Sequence, residues 1–517
     1  MSFSPSLGTT VTNTRMRTEA HTSPFSGMCA VCTMDCPGSC EIGLSALRGP
    51  EAIYPFAADS SQFASEKNYP LDFSHLNING RVFGARGTTE DSDAATYAKV
   101  KVETSIGKKH PLKLRLPIVL PAMAKLNWQD YFAGAAMAGV LVVIGEDVVA
   151  KDKGLVLENG RVKAAPLIAD MVGAFRKFER GYGDIVLQAN EDDERLGVLD
   201  YALQHLGVKS VELKFGQAAK GIQGLGLQRT LEDALRLKNM GYLVFPDPTD
   251  PEVAARFNEG KGPVFEKVGR LPMWDEVSLK KRIAELRALG AERICFKTGP
   301  FDPEDLARIL RIASEEGVDL VTLDGAGGGT GNSPVKMMNE WGIPTVVLES
   351  LVYEILKTME EKGYDLPQVA ITGGFSMEDH VFKGLALGAP YVSLVGIGRA
   401  AMAAAMTGKR LGELLKEDKL PQDLSRFGGT VETLFSEVKP LRAIYGDEAD
   451  AMSTGAIGLY SYLERISAGL RQLMALNRKF DLSHVDRRDL VPLTPLAKEV
   501  TGLEDYSDLM RGALGKL

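Results

Sequence analysis

The 517-residue chain has ordinary proportions of apolar (44%) and charged (25%) residues and a formal net charge of -8. No apolar run is long enough to cross a bilayer, and an acidic chain without clustered Lys and Arg gives no reason to expect nucleic-acid binding. The length exceeds what one hydrophobic core usually supports, so we expect one large domain with additional segments. Residues 1–28 are rich in Ser and Thr, lack the apolar core of a secretory signal, and are interpreted as a flexible tail.

Four of the five cysteines lie close together after this tail. Cys29, Cys32, Cys36 and Cys40 have the spacing C-x2-C-x3-C-x3-C, which lets four thiolates face one centre. The spacing is close to the ferredoxin pattern, although Pro37 follows the third cysteine and not the fourth. Zinc sites usually pair two C-x-x-C knuckles across a longer loop. We therefore predict a [4Fe–4S] cluster in residues 29–115, with zinc as the alternative, and a reducing, cytoplasmic location.

Residues 116–430 alternate short β-branched runs with amphipathic helical patterns, which is typical of βα units around a parallel sheet. Helices are predicted, for example, over Lys280–Leu289 and Pro303–Glu316. Nine strand candidates occur, one more than a barrel of eight strands needs. They are Pro117–Leu120, Val140–Ile144, Asp184–Ala189, Ser210–Lys214, Arg293–Lys297, Asp319–Asp324, Thr345–Leu348, Gln368–Thr372 and Tyr391–Val395. Cys295 lies within one of them and is expected to be a small buried apolar residue.

The position of the glycine clusters decides between two α/β folds. An open doubly wound sheet would place its glycine-rich loop after the first strand, whereas here the glycines come late. Late glycine loops suit a barrel, in which phosphate sites commonly follow the last strands. The predicted fold is therefore α/β: a parallel (β/α)8 TIM-like barrel with an N-terminal iron–sulfur-binding segment. Residues 431–517 are predicted to form a C-terminal helical extension, because leucines recur at helical spacing between Ser453 and Leu476.

The longest glycine run follows a predicted strand and includes Asp324, Gly327, Gly328, Gly329 and Thr330. Glycines in such a loop expose successive N–H groups, which can surround an anionic or flat polar ligand. A merely flexible loop is the alternative.

Two later strands also end in glycine: one at Gly373 and Gly374, the other at Gly396 and Gly398, followed by Arg399. Adjacent strand ends with bare N–H groups and one arginine suit the dianion of a monophosphate better than a dinucleotide. FMN is the predicted cofactor.

These segments, taken in order, resemble the FMN-binding glutamate synthase family over roughly residues 80–475. The glycine run is similar to the family's glycine loop beside the flavin, and the segment from Lys214 to Gly221 is similar to its Lys-x-x-Gln-Gly-Ala-Lys-Pro-Gly loop. The resemblance implies that Pro121, Ala122 and Met123 back the isoalloxazine ring.

The same resemblance implies that Lys297 lies at the pyrimidine edge of the flavin, where a cation stabilises the reduced form. Lys214, Gln217 and Lys220 would bind the flavin or an acidic substrate such as 2-oxoglutarate. The alternatives are a solvent-exposed lysine for Lys297 and an ordinary polar loop for the segment from Lys214.

The implied activity is an FMN- and iron–sulfur-dependent reductive amination of 2-oxoglutarate or a related keto acid or imine. Two alternatives stay open: a related flavoprotein subunit acting on another amine or keto acid, and a zinc-containing barrel that binds a phosphorylated ligand without redox activity. The chain has no N-terminal cysteine nucleophile, and no cysteine follows Arg399 where the family has its cysteine-bearing segment. We therefore expect free ammonium or a glutaminase partner to supply nitrogen. The expected electron donor is ferredoxin or an NAD(P)H-oxidising partner subunit, and a homo-oligomer is expected.

Overall fold

The computed structural model describes residues 69–122, 127–216, 225–262, 264–299, 302–326 and 340–517, and also residues 46 and 337. Several residues named above lie outside these ranges. They are Cys29, Cys32, Cys36, Pro37, Cys40, Met123, Gln217, Lys220, Gly221, Gly327, Gly328, Gly329 and Thr330.

Eight parallel strands close into a barrel in which every strand pairs with its neighbours in sequence and the last pairs with the first. The strands are β1 (Ile118–Leu120), β2 (Leu141–Ile144), β3 (Asp184–Ala189), β4 (Ser210–Lys214), β5 (Arg293–Thr298), β6 (Leu320–Asp324), β7 (Gln368–Thr372) and β8 (Val392–Gly396). Almost all of their residues are buried, because side chains face either the barrel interior or the surrounding helices. The predicted (β/α)8 barrel is confirmed.

Eight of the nine strand predictions match β1–β8 to within one residue at each end. The prediction of a strand at Thr345–Leu348 was wrong, because these residues form the first turn of a helix that continues to Glu361. A short buried apolar run has the same appearance in a strand and in a buried helix. Here Pro344 immediately precedes the helix, and the apolar side chains pack against the barrel.

Helices follow the strands and surround the barrel. The first eleven are α1 (Trp128–Ala138), α2 (Pro166–Arg176), α3 (Glu191–Leu196), α4 (Val198–His205), α5 (Leu231–Asn239), α6 (Pro251–Asn258), α7 (Glu276–Ala288), α8 (Pro303–Glu315), α9 (Thr345–Glu361), α10 (Glu378–Gly388) and α11 (Arg399–Lys416). In α8, Asp302 accepts a hydrogen bond from the Glu304 N–H at the helix start, and Leu306 and Leu310 face the core. The predicted helices at Lys280–Leu289 and Pro303–Glu316 correspond to α7 and α8.

A small antiparallel sheet, not predicted from the sequence, is inserted between β4 and β5 and is called the inserted sheet below. Its strands are Leu225–Gln228, Leu243–Phe245 and Phe265–Val268, with the last in the middle. Two hairpins lie elsewhere, at Val156–Glu158 with Arg161–Ala164 and at Thr104–Ile106 with Leu112–Leu114. The second hairpin closes the amino end of the barrel, where Ile106 and Leu114 pack in the interior with Val119 and Cys295.

The C-terminal extension is helical, as predicted. After α12 (Gln422–Ser425), which precedes it, the extension contains α13 (Val431–Leu434), α14 (Val438–Tyr445), α15 (Thr454–Leu476), α16 (Pro495–Thr501) and α17 (Tyr506–Leu514). Short 3-10 turns occur along the whole described chain. Gly446–Ala451, Leu482–His484 and Arg487–Asp489 lie in the extension, and Phe73–His75, Tyr97–Lys99 and Val149–Lys151 lie earlier. The long helix α15 packs against α1, α10 and α11. None of the described helices is long and apolar enough to cross a membrane.

The segment before the barrel is joined to this extension. Leu76–Ile78 pairs antiparallel with Leu490–Pro492, and the Lys383 ammonium on α10 donates to the Phe73 carbonyl at 3.0 Å. Phe73 also packs on Phe375, which follows β7, with ring centroids 5.1 Å apart. The described part of the segment therefore begins beside the carboxyl end of β7. The predicted domain boundaries at residues 28/29, 115/116 and 430/431 stay predictions.

A buried lysine holds this junction together. The Lys479 side chain is 1% exposed, and its Nζ donates to the His484 carbonyl (2.6 Å) and to Asp486 Oδ2 (3.0 Å). Its Nζ also lies 3.2 Å from Oδ2 of Asp489, whose other oxygen is 3.9 Å from Arg81 Nε in the N-terminal segment. Burial raises the pKa of Asp486, but hydrogen bonds from Arg488 and Lys479 outweigh it and lower that pKa to about 2.

We expect Lys479→Met to destabilise the protein by about 3 kcal/mol, because two carboxylates would lose their buried cation. The measurement is the free energy of unfolding in urea. The matched control is Lys419→Met, since Lys419 pairs with Glu417 on an exposed surface and should contribute less than about 1 kcal/mol. Equal effects of the two substitutions would contradict the prediction.

Candidate functional site at the carboxyl end of the barrel

Polar side chains line the barrel interior near the carboxyl ends of four neighbouring strands. Lys214 on β4 and Lys297 on β5 are register partners, and Asp324 on β6 is the register partner of Thr372 on β7. Alternate residues of a barrel strand point inward, so these side chains converge on one region. Both lysines are buried, with 5% and 6% exposure. The carboxyl end of a barrel of this kind is where its active sites are found.

The Lys297 ammonium has no hydrogen-bond or ion-pair partner within the part of the chain that the structure describes, whereas its backbone carbonyl accepts from the Phe215 N–H at 2.8 Å. The Glu212 carboxylate acts on it electrostatically from the neighbouring strand. A buried ammonium that lacks a close partner is costly. Lys297 is therefore suited to a ligand that brings negative charge to this end of the barrel.

Lys214 is held differently. Its Nζ donates to Glu146 Oε1 at 2.6 Å, and the two side chains are 4% and 13% exposed. Glu146 lies in the loop after β2, on the other side of β3. The charge of Lys214 is thus shared with a carboxylate of the protein, and its position is set by the β2 loop.

A second polar layer lies one step deeper in the barrel. Gln188 Nε2 donates to Glu212 Oε1 at 2.5 Å, and Glu212 is 2% exposed. Burial raises the pKa of Glu212, while Lys297 and the hydrogen bond from Gln188 act in the opposite direction. Cys295 is the register partner of Glu212 and is fully buried, and burial raises the pKa of its thiol, so it is the inert residue that the sequence predicted.

Two buried oxygens in these two layers have no hydrogen-bond partner among the described residues: Thr322 Oγ1 and, in the deeper layer, Gln188 Oε1. Thr322 is the register partner of Lys297. Unsatisfied buried polar atoms are uncommon in folded proteins and often mark a functional site. The carboxyl-end half of the barrel interior thus contains a buried cation and polar atoms without hydrogen-bond partners among the described residues, which suits a polar, anionic ligand.

Glycines allow the ends of β6, β7 and β8 to approach closely. A Cβ on Gly396 would lie 2.1 Å from Thr372 Cγ2, and a Cβ on Gly373 (φ +121°) would lie 2.7 Å from the Gly325 carbonyl oxygen. Gly374 also has a positive φ, of 95°. Side chains at Gly373 and Gly396 would therefore clash with the neighbouring strand end, so glycine is required there. Gly373, Gly374, Gly396 and Gly398 are called the glycine rim below.

Arg399 begins α11 directly after Gly398, and the Asp324 carboxylate interacts with it electrostatically. The Thr372 hydroxyl donates to Asp324 Oδ1 at 2.5 Å. The structure thus brings Gly373, Gly374, Gly396, Gly398 and Arg399 to neighbouring strand ends, as the sequence predicted; their phosphate-binding role stays a prediction.

Pro121 and Ala122 directly follow β1 at the same end of the barrel. Pro121 is buried, and Ala122 lies close to the β2 loop, since a Cβ on Gly145 would lie 3.2 Å from the Ala122 Cβ. The two residues line the site beside Glu146.

Asp147, next to Glu146, faces the inserted sheet. Lys267 Nζ lies 2.8 Å from Asp147 Oδ1, and the Asn190 side-chain amide donates to the same oxygen at 3.1 Å. Asp193 Oδ2 accepts a hydrogen bond from the Asp147 N–H at 2.9 Å. The adjacent carboxylates of Glu146 and Asp147 therefore connect the barrel interior with the inserted sheet.

Sequence reasoning missed Glu146, Asp147, Gln188 and Lys267. The first two had a usable signal, because Gly145-Glu-Asp directly follows an apolar strand, where barrels carry functional groups. Gln188 lies within the predicted strand β3, and Lys267 belongs to the unpredicted inserted sheet. No cluster of three or more His, Cys, Asp or Glu residues in the described ranges is arranged to hold a metal, and the four predicted cysteine ligands lie outside those ranges.

Comparison with known proteins identifies one conserved region. The family model described as the conserved region in glutamate synthase matches residues 271–409, which include β5–β8. A glutamate synthase large subunit-like protein of Rhizobium meliloti is 30% identical over 200 residues, covering 38% of this chain and 39% of the relative. An archaeal-type glutamate synthase [NADPH] of Dehalococcoides mccartyi is 36% identical over 89 residues, covering 17% of each. The matched part spans about two fifths of the first relative's length and less than a fifth of the second's.

Solved structures of flavocytochrome b2 with sulfite bound and of (S)-mandelate dehydrogenase are similar to the chain. The first has a TM-score of 0.46 at 15% identity, covering 85% of this chain and 81% of that one. The second has a TM-score of 0.39 at 15% identity, covering 81% and 89%. The barrel assignment rests on the chain's own strand pairing and not on these similarities. The resemblance predicted from the sequence is confirmed for residues 271–409, which match the conserved region in glutamate synthase, and the two relatives are named as glutamate synthase or glutamate synthase-like proteins.

Proposed function

We propose that the chain is an FMN-dependent oxidoreductase of glutamate synthase type. The observation that carries the proposal is Lys297, a buried lysine at the carboxyl end of β5 with no close partner among the described residues. Its register partner Thr322 has a buried hydroxyl that also lacks a hydrogen-bond partner there. FMN fits this environment, because its pyrimidine edge offers polar atoms to the strand ends and its phosphate is anionic.

The described residues that would hold FMN lie around this end of the barrel. Pro121, Ala122 and Met123 would lie against the ring, and Lys297 would lie at its pyrimidine edge. The phosphate would lie against the glycine rim and Arg399, with Asp324 and the segment from Gly327 to Thr330 completing the site. The N-terminus of α11 favours an anion there.

When bound, FMN would supply hydride from its N5 position. The favoured reaction is reductive amination of 2-oxoglutarate or a related keto acid. Ammonium and the keto acid form a C=N bond with loss of water, and one hydride and one proton convert it to the amine. Lys214 and Gln217 would orient the substrate carboxylate, while Lys297 would stabilise negative charge at the reacting end of the site.

The electron route is proposed to begin at the four clustered cysteines. The described N-terminal segment starts beside the carboxyl end of β7, because Phe73 packs on Phe375. The proposed route runs from a [4Fe–4S] cluster at these cysteines to FMN. Ferredoxin or an NAD(P)H-oxidising subunit is the proposed donor, and free ammonium or a glutaminase partner is the proposed nitrogen source. Protein purified anaerobically without flavin, and unable to bind added FMN, would rule out the proposed function.

We expect Lys297→Met to slow reduction of the bound flavin about 100-fold, because the site would lose the cation that stabilises negative charge. The measurement is anaerobic stopped-flow absorbance with dithionite or the physiological donor. Lys209→Met is the matched control, since Lys209 precedes β4 at the opposite end of the barrel and pairs with Glu292. An unchanged rate in Lys297→Met protein that retains flavin would exclude the proposed role.

We expect Cys32→Ser to abolish iron binding, because the remaining thiolates would not complete the cluster. The measurement is iron, sulfide and zinc content per polypeptide after anaerobic purification. Cys295→Ala should leave iron content unchanged, since Cys295 is buried in the barrel. Full iron retention in Cys32→Ser would remove Cys32 as a ligand, and zinc without iron in the wild-type protein would replace the cluster with a structural site.

A further inference from the structure

The inserted sheet reaches the proposed active site through two adjacent carboxylates. Glu146 pairs with Lys214 inside the barrel at 2.6 Å, and Asp147 pairs with Lys267 of the inserted sheet at 2.8 Å. Lys267 is buried, with 9% of its side chain exposed, and its ammonium lies 4.4 Å from the centre of the Tyr242 ring. The Glu146–Asp147 dipeptide is therefore held by two ammonium groups, that of Lys214 inside the barrel and that of Lys267 in the inserted sheet.

The backbone of this dipeptide is also constrained. Asp147 has a φ of 63°, in the left-handed region that costs energy for a residue with a side chain. Its N–H donates to Asp193 Oδ2, and Asn190 donates to its carboxylate, so α3 holds the same residue. Asp193 in turn is fixed by the capping box at the start of α3. Such a segment keeps its shape only while these contacts persist.

We propose that Lys267 positions Lys214 for carboxylate binding, acting through Asp147 and Glu146, so that the inserted sheet sets the affinity of the barrel for its acidic substrate. This inference rests on the proposed function, in which Lys214 binds the substrate carboxylate. Loss of the Lys267 cation removes the ammonium that lies 2.8 Å from the Asp147 carboxylate, next to the buried Asp193. The β2 loop then moves, and Glu146 no longer holds the Lys214 ammonium in place.

The test compares Lys267→Met with Lys267→Arg and Lys214→Met, using 2-oxoglutarate as the probe on flavin-containing protein. We expect Lys267→Met to raise KM for 2-oxoglutarate about tenfold with a smaller change in kcat, because substrate orientation is lost and the redox centre is intact. A flavin absorbance titration with 2-oxoglutarate should show the same weakening without turnover. Lys267→Arg should restore most of the affinity, and Lys261→Met, an exposed lysine that pairs with Glu259, should have no effect.

The outcomes separate the two proposals. If Lys214→Met leaves binding unchanged, the role of Lys214 in the proposed function is wrong. If Lys214→Met weakens binding while Lys267→Met does not, or lowers KM, the positioning role of Lys267 is wrong and the proposed function stands. If Lys267→Met does not fold, Asp147→Asn tests the same link, because it removes the charge and keeps the shape.

The titration of Asp193 provides a second test of the contacts among Asp147, Lys267 and Asp193. Burial, together with the charge of Asp147, raises the pKa of Asp193 from 3.8 to about 8. The groups around it are Asp147 from the β2 loop, Lys267 and Tyr242 from the inserted sheet, and Asp192, which is paired with Arg270. One oxygen of Asp193 is buried without a hydrogen-bond partner among the described residues, which suits a protonated acid.

A folded-state pKa above the unfolded value means that the stability contribution is full below about pH 4 and is lost as pH rises to about 8. Asp193→Asn keeps an oxygen acceptor and cannot titrate. Its melting temperature should therefore fall less than that of the wild type between pH 5 and pH 9, while Asp170→Asn, an exposed control on α2, should follow the wild type. Parallel curves for Asp193→Asn and wild type would show that Asp193 is ionised in the folded protein and would overturn its place in the network.

Discussion

The burial of two lysines at the carboxyl end of a closed barrel is the constraint on which the site depends. Lys214 and Lys297 are register partners on adjacent strands, so their charges face the same interior. The protein balances them unequally: Glu146 pairs directly with Lys214, whereas Glu212 acts on Lys297 only at longer range. Among the described residues, Lys214 has a close carboxylate partner and Lys297 has none, so this end of the barrel is suited to an anion or polar edge beside Lys297.

In the proposed function, this unequal pairing gives Lys297 on β5 and Lys214 on β4 different roles. On β5, Lys297 sits above the Gln188–Glu212 hydrogen bond, where charge can change with little movement because the surrounding groups are buried and fixed. On β4, Lys214 depends on a loop, and loops can adjust to a substrate more easily than strands. Cofactor electronics would thus be set by the rigid barrel, and substrate affinity by the β2 loop with its external supports.

The sequence was sufficient for the barrel because each strand is buried on both faces and appears as a short apolar run between helical patterns. It failed at Thr345–Leu348, where an apolar run of the same kind begins a buried helix. The lysines were found at strand ends, but the partner of Lys214 was not, because Glu146 is distant in sequence and meets Lys214 only after β2, β3 and β4 align. The inserted sheet was missed for a related reason: its strands have three or four residues and lie within a polar stretch.

The path of the chain outside the barrel determines where the N-terminal segment meets the barrel. The N-terminal segment runs from Phe73, beside the end of β7, along the C-terminal extension, and then to the hairpin that closes the amino end of the barrel. Lys479 and its carboxylates fix this course in the middle. The residues that precede the segment therefore join it at the end of the barrel that carries the two lysines and the glycine rim. Under the proposed function, this is also the end of the barrel at which FMN would bind.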